Sequence, residues 1–240
     1  MGSEPRTPMT MQRIERALAG SPIAETVLNI FKAALSTAPF TGGLASLITD
    51  YIPSSRFRRL EEFAQRVAED LQAVAGQVDQ AYLQTDEFAH IFERSFKGAA
   101  EHYQREKLAA FRAILVNSAV RSDVAQVEKE HFLVLANNLS VLQLRILMFM
   151  AEPRRFLAGA GIDERRITGG FADMFRTVLP GMDLDLVKSA FGDLYQSGLI
   201  STDKTIFGTM TSAQGLQLLG DRVTPLGHRF IRFLNTPTGN

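Results

Sequence analysis

The chain has 240 residues, of which 45% are hydrophobic, so it is long enough to bury a core in one large or two small domains. Its 26 basic residues balance its 26 acidic residues, which excludes a global field that would attract the protein to nucleic acid or an acidic membrane. It has no cysteine, which excludes disulfides, thiolate catalysis and cysteine-ligated metals. These properties predict a globular, cytoplasmic protein whose contacts with charged partners are local.

The beginning of the chain, "MGSEPRTPMT", lacks the apolar stretch of a signal peptide, so residues 1–20 are predicted to be a disordered or loosely helical leader. Helices are predicted over residues 22–52, where Pro39 and a glycine pair interrupt an uncharged stretch of seventeen residues. This stretch is too broken for a single membrane-spanning helix. It either packs in a helical bundle or inserts shallowly into a bilayer.

A helical bundle with a long antiparallel hairpin is predicted over residues 21–138. Apolar residues at alternating spacings of three and four predict a long helix that starts near Arg56 and reaches Leu83 if it is continuous. A second long helix is predicted over 86–119, with Gly98 as its weak point, and a further helix over about 123–138. The candidate helix–helix seam of the first helix consists of Phe57, Leu60, Val67, Leu71, Val74 and Val78.

The second half of the chain, residues 139–235, has a different pattern. Ser140 caps a compact apolar helix that stops at Pro153, a short helix ends at Pro180, and a longer helix ends at Gly198. The longer helix is predicted to turn inward Leu184, Val187, Phe191, Leu194 and Tyr195.

Residues 199–224 contain two β-prone runs about a polar turn near 212–215, which predicts a hairpin, and Thr224 with Pro225 starts a closing helix. The motif "LYQSGLI" resembles the end of a recognition helix running into a strand. The motif "VTPLGHRFIRF" resembles a last wing strand turning into a closing helix. The second half thus resembles the winged helix-turn-helix superfamily, which implies an α-helical domain with a small β-hairpin wing, followed by a tail over 236–240.

The local charge argues against DNA binding by this module. A helix that enters the major groove needs Lys or Arg for phosphates, whereas residues 182–196 carry Lys188 against Asp183, Asp185 and Asp193. The predicted wing tip, "TMTSAQG", has no charge. We therefore favour a winged helix that contacts protein. If the module instead binds DNA, the candidate nucleic-acid contacts are Arg154, Arg155, Arg165, Arg166, Lys188, Arg229 and Arg232.

A candidate anion or lipid-headgroup site lies at the start of the long helix. Arg56, Arg58 and Arg59 occupy its first turn, where the helix dipole favours anions over cations, and a bound phosphate or headgroup would explain them. The alternative is that Glu61, Glu62 or another helix pairs with these arginines.

Metal binding and catalysis are not indicated. Glu128 and His131 have the spacing of half a carboxylate-bridged metal site, and the chain offers only the reversed pair His90 and Glu93 as a second half. Glycine-rich phosphate loops and nucleophile elbows are absent from the sequence. We expect no catalytic residue, no cofactor and no enzymatic activity.

The segment "KLAAFRAILVNSA" at 107–119, followed by "LSVLQLRILMFM", is similar to bacterial helical proteins of the abortive-infection alpha type, which implies a bacterial source and a role in phage defence or regulation. The sequence as a whole favours a non-enzymatic interaction protein that acts as a homo-oligomer or with a protein partner. Two alternatives stay open: a DNA-binding transcriptional regulator, and a membrane-active effector that uses residues 22–52.

Overall fold

The structure of the chain is a computed structural model that describes residues 54–167, 169–208, 216, 219 and 221–235. For residues 54–58 and 61 it describes the helical backbone alone. The predictions that lie outside the described residues are the leader, the helices over 22–52 with their membrane-inserting alternative, the turn near 212–215 and the tail.

The described residues fold mainly as α-helices, which confirms the predicted class. The helices are α1 Ser54–Ala73, α2 Asp86–Glu101, α3 Arg105–Val120, α4 Gln126–Asn138, α5 Val141–Ala151, α6 Pro153–Ala160, α7 Phe171–Val178, α8 Leu184–Gln196 and α9 Pro225–Leu234. Short 3-10 helices occupy Ala75–Gln77, Tyr82–Gln84, Glu164–Arg166 and Lys204–Gly208. In this part of the chain there is no β-strand, and an isolated antiparallel bridge joins Ile200 to Val223.

The described residues divide into two compact units. Residues 54–137, with 234 and 235, belong to the first unit, and residues 138–233 form the second. In the first unit, α2 and α3 pack on each other and α1 packs on both. The buried side chains of this core include Phe63, Val67, Leu71, Phe88, Ile91, Phe92, Phe111, Ile114 and Phe132.

The first long helix is shorter than predicted, because α1 ends at Ala73. Asp79 forms the turn that follows: its carboxylate accepts hydrogen bonds from the backbone N–H groups of Ala81 and Tyr82, each at 3.1 Å. Its own backbone N–H donates to the carbonyl of Ala119 at 3.0 Å. Aspartate stabilises such turns by replacing backbone acceptors with its side chain, so a continuous helix to Leu83 is wrong.

The second long helix is also wrong, because residues 86–119 form two helices separated at His102–Gln104. Gly98, the predicted weak point, lies inside α2 and is fully covered. It faces the ring of Phe111 on α3, so the glycine permits close approach of the two helices and does not end either one. The hairpin in this region is therefore formed by α2 and α3. The next helix, α4, begins at Gln126, three residues later than expected.

The second unit begins as predicted with a capping box at α5. The Ser140 hydroxyl accepts a hydrogen bond from the Gln143 N–H at 3.2 Å, and Oε1 of Gln143 accepts one from the Ser140 N–H at 2.6 Å. Helix α8 packs on α5 and α7, and it buries Val187, Phe191 and Leu194 as expected. The inward prediction for Tyr195 is wrong, since this side chain is 43% exposed at the edge of the buried face.

The described residues do not support the predicted β-hairpin wing. Two backbone hydrogen bonds flank the Ile200–Val223 bridge, from Ser201 N–H to the Arg222 carbonyl at 2.7 Å and from Thr224 N–H to the Leu199 carbonyl at 3.0 Å. Beyond this short pairing the first β-prone run turns into the 3-10 helix Lys204–Gly208.

The aromatic core of the second unit explains this departure. The ring centroid of Phe207 lies 5.4 Å from that of Phe171, 5.4 Å from that of Phe175 and 5.2 Å from that of Phe191. Such edge-to-face and tilted ring pairs each contribute about 0.5 to 1.5 kcal/mol beyond the burial of their surface, which favours the turn that brings Phe207 into the cluster. The Asp203 carboxylate supports the turn by accepting the Thr205 N–H at 2.8 Å.

Candidate functional site

The candidate site lies on the outer face of α8, the helix that a winged-helix fold would present to a partner. Asp183 is its N-cap, and the carboxylate accepts the N–H groups of Asp185 at 2.9 Å and Leu186 at 3.0 Å. This cap is the type that favours helix initiation after the positive-φ turn at Gly181. The cap and the buried inner face together fix which residues α8 exposes.

The outer face combines apolar and acidic side chains. Leu186 is 54% exposed and Met182, four residues earlier, is 43% exposed. Helical spacing places Leu186 on one side of α8 with three exposed polar residues, and Met182 directly precedes the N-cap of this helix. We call this surface the α8 ridge, and it consists of Met182, Asp185, Leu186, Ser189 and Asp193.

The carboxylates of the ridge are held by neighbouring side chains. Lys188 Nζ lies 2.9 Å from Asp185 Oδ1, and Gln143 Nε2 on α5 donates to Asp193 Oδ2 at 2.9 Å. Lys188, the basic residue of α8, therefore forms an ion pair with Asp185 of the ridge. An exposed leucine is suited to contact with polypeptide. The adjacent carboxylates would repel a phosphate backbone.

The arginines that the DNA alternative requires lie on several elements. Arg154 on α6 lies 3.7 Å from Glu164, and Arg155 lies 3.0 Å from Glu152. Arg165 and Arg166 are exposed in the 3-10 helix that contains Glu164. Arg229 and Arg232 are exposed on α9, and Lys188 is the cation beside Asp185 described above. Carboxylates therefore accompany Arg154, Arg155 and Lys188.

The candidate anion site has one described side chain. Arg59 is partly buried, and its Nη2 donates to the carbonyl of Ala100, in the last turn of α2, at 3.3 Å. The side chains of Arg56 and Arg58 lie outside the described part of the chain. The contact of Arg59 is the interhelical alternative that the sequence left open.

The candidate seam lies mostly in the core of the first unit. Val67, Leu71 and Val74 are buried, Leu60 is partly buried, and the side chain of Phe57 is outside the described residues. Val78 is partly buried beyond the end of α1, so it does not continue the seam of that helix.

Two buried lysines are the chemically unusual residues that the sequence reasoning missed. Lys107 on α3 and Lys129 on α4 are each only 3% exposed. Both are in phase with apolar neighbours, Lys107 with Phe111 and Lys129 with Phe132, which was the available signal. A lysine is rarely buried unless its ammonium group is paired.

The described residues contain no group of three His, Asp or Glu side chains arranged to hold a metal ion. Glu128 is partly buried and His131 is exposed on α4, and His90 and Glu93 are exposed on α2. Among the described helices, none combines the length and apolar character needed to cross a bilayer.

Comparisons with protein-family models, curated proteins and solved structures gave no match. The winged-helix and abortive-infection resemblances, and the bacterial defence role that the latter implies, therefore stay predictions.

Proposed function

We propose that this chain is a non-enzymatic interaction protein whose second unit contacts polypeptide through the α8 ridge. The observation that carries the proposal is the exposure of Leu186, at 54%, beside the carboxylates of Asp185 and Asp193. Full burial of an exposed leucine contributes about 1.5 to 3 kcal/mol, and because Leu186 is 54% exposed a partner that covers it gains about half of that. A fitting partner therefore has an apolar pocket with Lys or Arg at its rim.

The proposal treats residues 139–235 as a derivative of a winged helix. In its favour are the antiparallel bridge between Ile200 and Val223 and the closing helix α9, which follow α5, α6, α7 and α8. In this interpretation α8 occupies the position of the recognition helix. Because that position is acidic, protein contact replaces DNA contact.

A gel shift tests the electrostatic half of the proposal. We expect the wild-type chain not to retard a 30-base-pair duplex of mixed sequence at low salt. The double variant Asp185→Lys, Asp193→Lys adds four positive charge units to the ridge and should introduce weak, salt-sensitive retardation. Tight wild-type binding that is lost when Arg154, Arg155, Arg229 and Arg232 are neutralised would establish the DNA-binding alternative.

Site-specific photo-crosslinking tests the polypeptide half. A photoreactive residue at position 186 should form adducts with polypeptide, either a second copy or a partner, in cells of the native host. Position 158, which is exposed on a different helix, α6, is the matched control and should give no such adduct. If position 186 gives no polypeptide adduct, the ridge is not a contact surface.

A substitution then links the adduct to the ridge. Leu186→Asp should abolish binding to the crosslinked species while changing the free energy of unfolding by less than about 0.5 kcal/mol, as surface substitutions usually do. Met148→Asp, at an apolar position of α5 that is 39% exposed, is the control and should retain binding. Equal loss in both variants would contradict a ridge-specific contact.

A further inference from the structure

The two buried lysines of the first unit each donate hydrogen bonds to the C-terminal carbonyls of the other lysine's helix. Lys107 Nζ on α3 donates to the carbonyls of Ala136 and Asn137 in the last turn of α4, the second at 2.7 Å. Lys129 Nζ on α4 donates to the carbonyl of Ser118 in the last turn of α3 at 3.0 Å. Neither helix has a basic residue in its own last turn. The arrangement is therefore reciprocal: each helix supplies a side-chain amine that donates to the C-terminal carbonyls of the other.

Each of the two ammonium groups also has other polar side chains near it. Near Lys107, the imidazole of His102 lies in the α2–α3 connection, and its pKa is lowered first by burial and then by repulsion from Lys107. Lys129 Nζ lies 4.1 Å from the centroid of the Tyr82 ring, and the Tyr82 hydroxyl donates to Gln126 Oε1 at 2.8 Å.

Two carboxylates also act on Lys129, Asp79 from the turn after α1 and Asp123 from the α3–α4 connection. They attract the ammonium group and partly offset the effect of its burial on the pKa. Glu87 and Glu130 face the Tyr82 side of the same region. His102 thus lies near Lys107, and Asp79 and Asp123 lie near Lys129.

Burial of an ammonium group has a thermodynamic consequence. When α4 separates from α3, water replaces the carbonyls around both amines. Because water solvates an ammonium group better than the protein interior does, the protonated form of each lysine is then more stable. We infer that the docking of α4 against α3 is proton-linked through Lys107 and Lys129, so that α4 docks more tightly as the pH rises above neutrality. Docking thus responds to pH through two amines and needs no histidine.

The sign follows from the direction of the pKa shifts. Burial lowers the pKa of Lys107 from 10.5 to about 8, and it also lowers the pKa of Lys129. Between about pH 8 and pH 10.5 the separated state binds more protons at Lys107 than the docked state does, so raising the pH favours docking. Below the lowered pKa both states hold the proton and docking is at its weakest. For Lys107 alone, the docking equilibrium should rise about twentyfold from pH 7.5 to pH 9.5.

Hydrogen exchange of the full chain tests the inference. Protection factors of the amides of α4, each corrected for the intrinsic exchange rate, should rise at least tenfold between pH 7.5 and pH 9.5. Lys107→Met keeps the length of the side chain but removes the ammonium group, and it should flatten this rise. Lys188→Met, at a partly exposed position on α8, is the matched control and should leave the rise unchanged.

A direct titration keeps the test decisive if Lys107→Met does not fold. The side-chain nitrogen of Lys107 in the wild-type chain, followed by NMR, should titrate at least one pH unit below the ordinary lysine value of 10.5. A normal midpoint for Lys107 would overturn the inference. So would a pH-independent protection of α4, or a rise that persists in a folded Lys107→Met, Lys129→Met double variant.

Discussion

Gly98 on α2 faces the ring of Phe111 on α3 so closely that a Cβ atom at Gly98 would lie 2.6 Å from Cε1 of the ring. Phe111 is fully buried, so its ring has little room to withdraw. The absence of a side chain at one helical position thus sets how closely α2 and α3 approach.

Gly98→Ala should therefore destabilise the chain, although alanine is the better helix former by about 1 kcal/mol. Overpacking of a filled core costs about 1 to 3 kcal/mol, and it outweighs the propensity gain when the neighbour cannot move. Urea unfolding should show a lower free energy of unfolding. Gly192→Ala, where a Cβ on α8 would meet nothing within 4 Å, is the control and should be neutral or stabilising. A stabilised Gly98→Ala variant would contradict the close approach.

A second glycine makes a similar contact with backbone. A Cβ at Gly227 on α9 would lie 2.8 Å from Cγ1 of Val223 and would overlap the carbonyl oxygen of Leu199. Backbone cannot rotate away as a side chain can, so we expect Gly227→Ala to lower the free energy of unfolding by about 2 to 3 kcal/mol. Gly159→Ala on α6, where the added Cβ has open space, is the matched control in the same urea titrations. Equal stability of the two variants would show that α9 packs differently.

The position of Phe207 is tested by removing its ring. Phe207→Ala should leave a void among Phe171, Phe175 and Phe191 and lower the free energy of unfolding by about 3 kcal/mol. Lys204→Ala, exposed in the same 3-10 helix, should change it by less than about 0.5 kcal/mol. If Phe207 belonged to an exposed wing strand, the two variants would be equally stable.

His102 gives the stability of the chain a component that depends on mild acid. Burial is the main cause of its lowered pKa, and the ring also stacks on Phe111 with centroids 5.8 Å apart. Because the unfolded chain binds this proton more readily, the contribution of His102 is fully present above pH 6.5 and is lost as the pH falls through the lowered pKa. Unfolding free energies at several pH values should therefore decline less steeply toward acid in His102→Gln than in the wild type. Identical slopes would contradict the burial of the ring.

Helix ends with strong local signals were predictable from the sequence. Ser140 with Gln143 and Thr224 with Pro225 mark helix starts that the structure reproduces, because a cap is a contact between residues close in the chain. The apolar periodicity of α1 and α8 likewise identified Val67, Leu71, Phe191 and Leu194 as buried.

Breaks that depend on distant contacts were not predictable. The break at His102–Gln104 contains no glycine or proline. The chain turns there, and α2 packs against α3 at Gly98 and Phe111, which lie on either side of the break. The β-prone run near Ile206 is likewise overridden by the packing of Phe207 in an aromatic cluster whose members are remote in sequence. For the candidate site, the acidic character of α8 was readable, whereas the exposure of Leu186 depended on which face α5 and α7 cover.

Basic side chains that cap the C-terminus of a neighbouring helix couple helix formation in the first unit to the packing of its helices. The C-terminal carbonyls of α2, α3 and α4 accept hydrogen bonds from Arg59, Lys129 and Lys107, and each donor lies on a different helix from its acceptor. A peptide of any one of these helices lacks that donor, so its C-terminus would fray in water. Helix completion and tertiary assembly are therefore the same event, and we expect residues 54–137 to unfold in one cooperative transition with no populated single-helix intermediate.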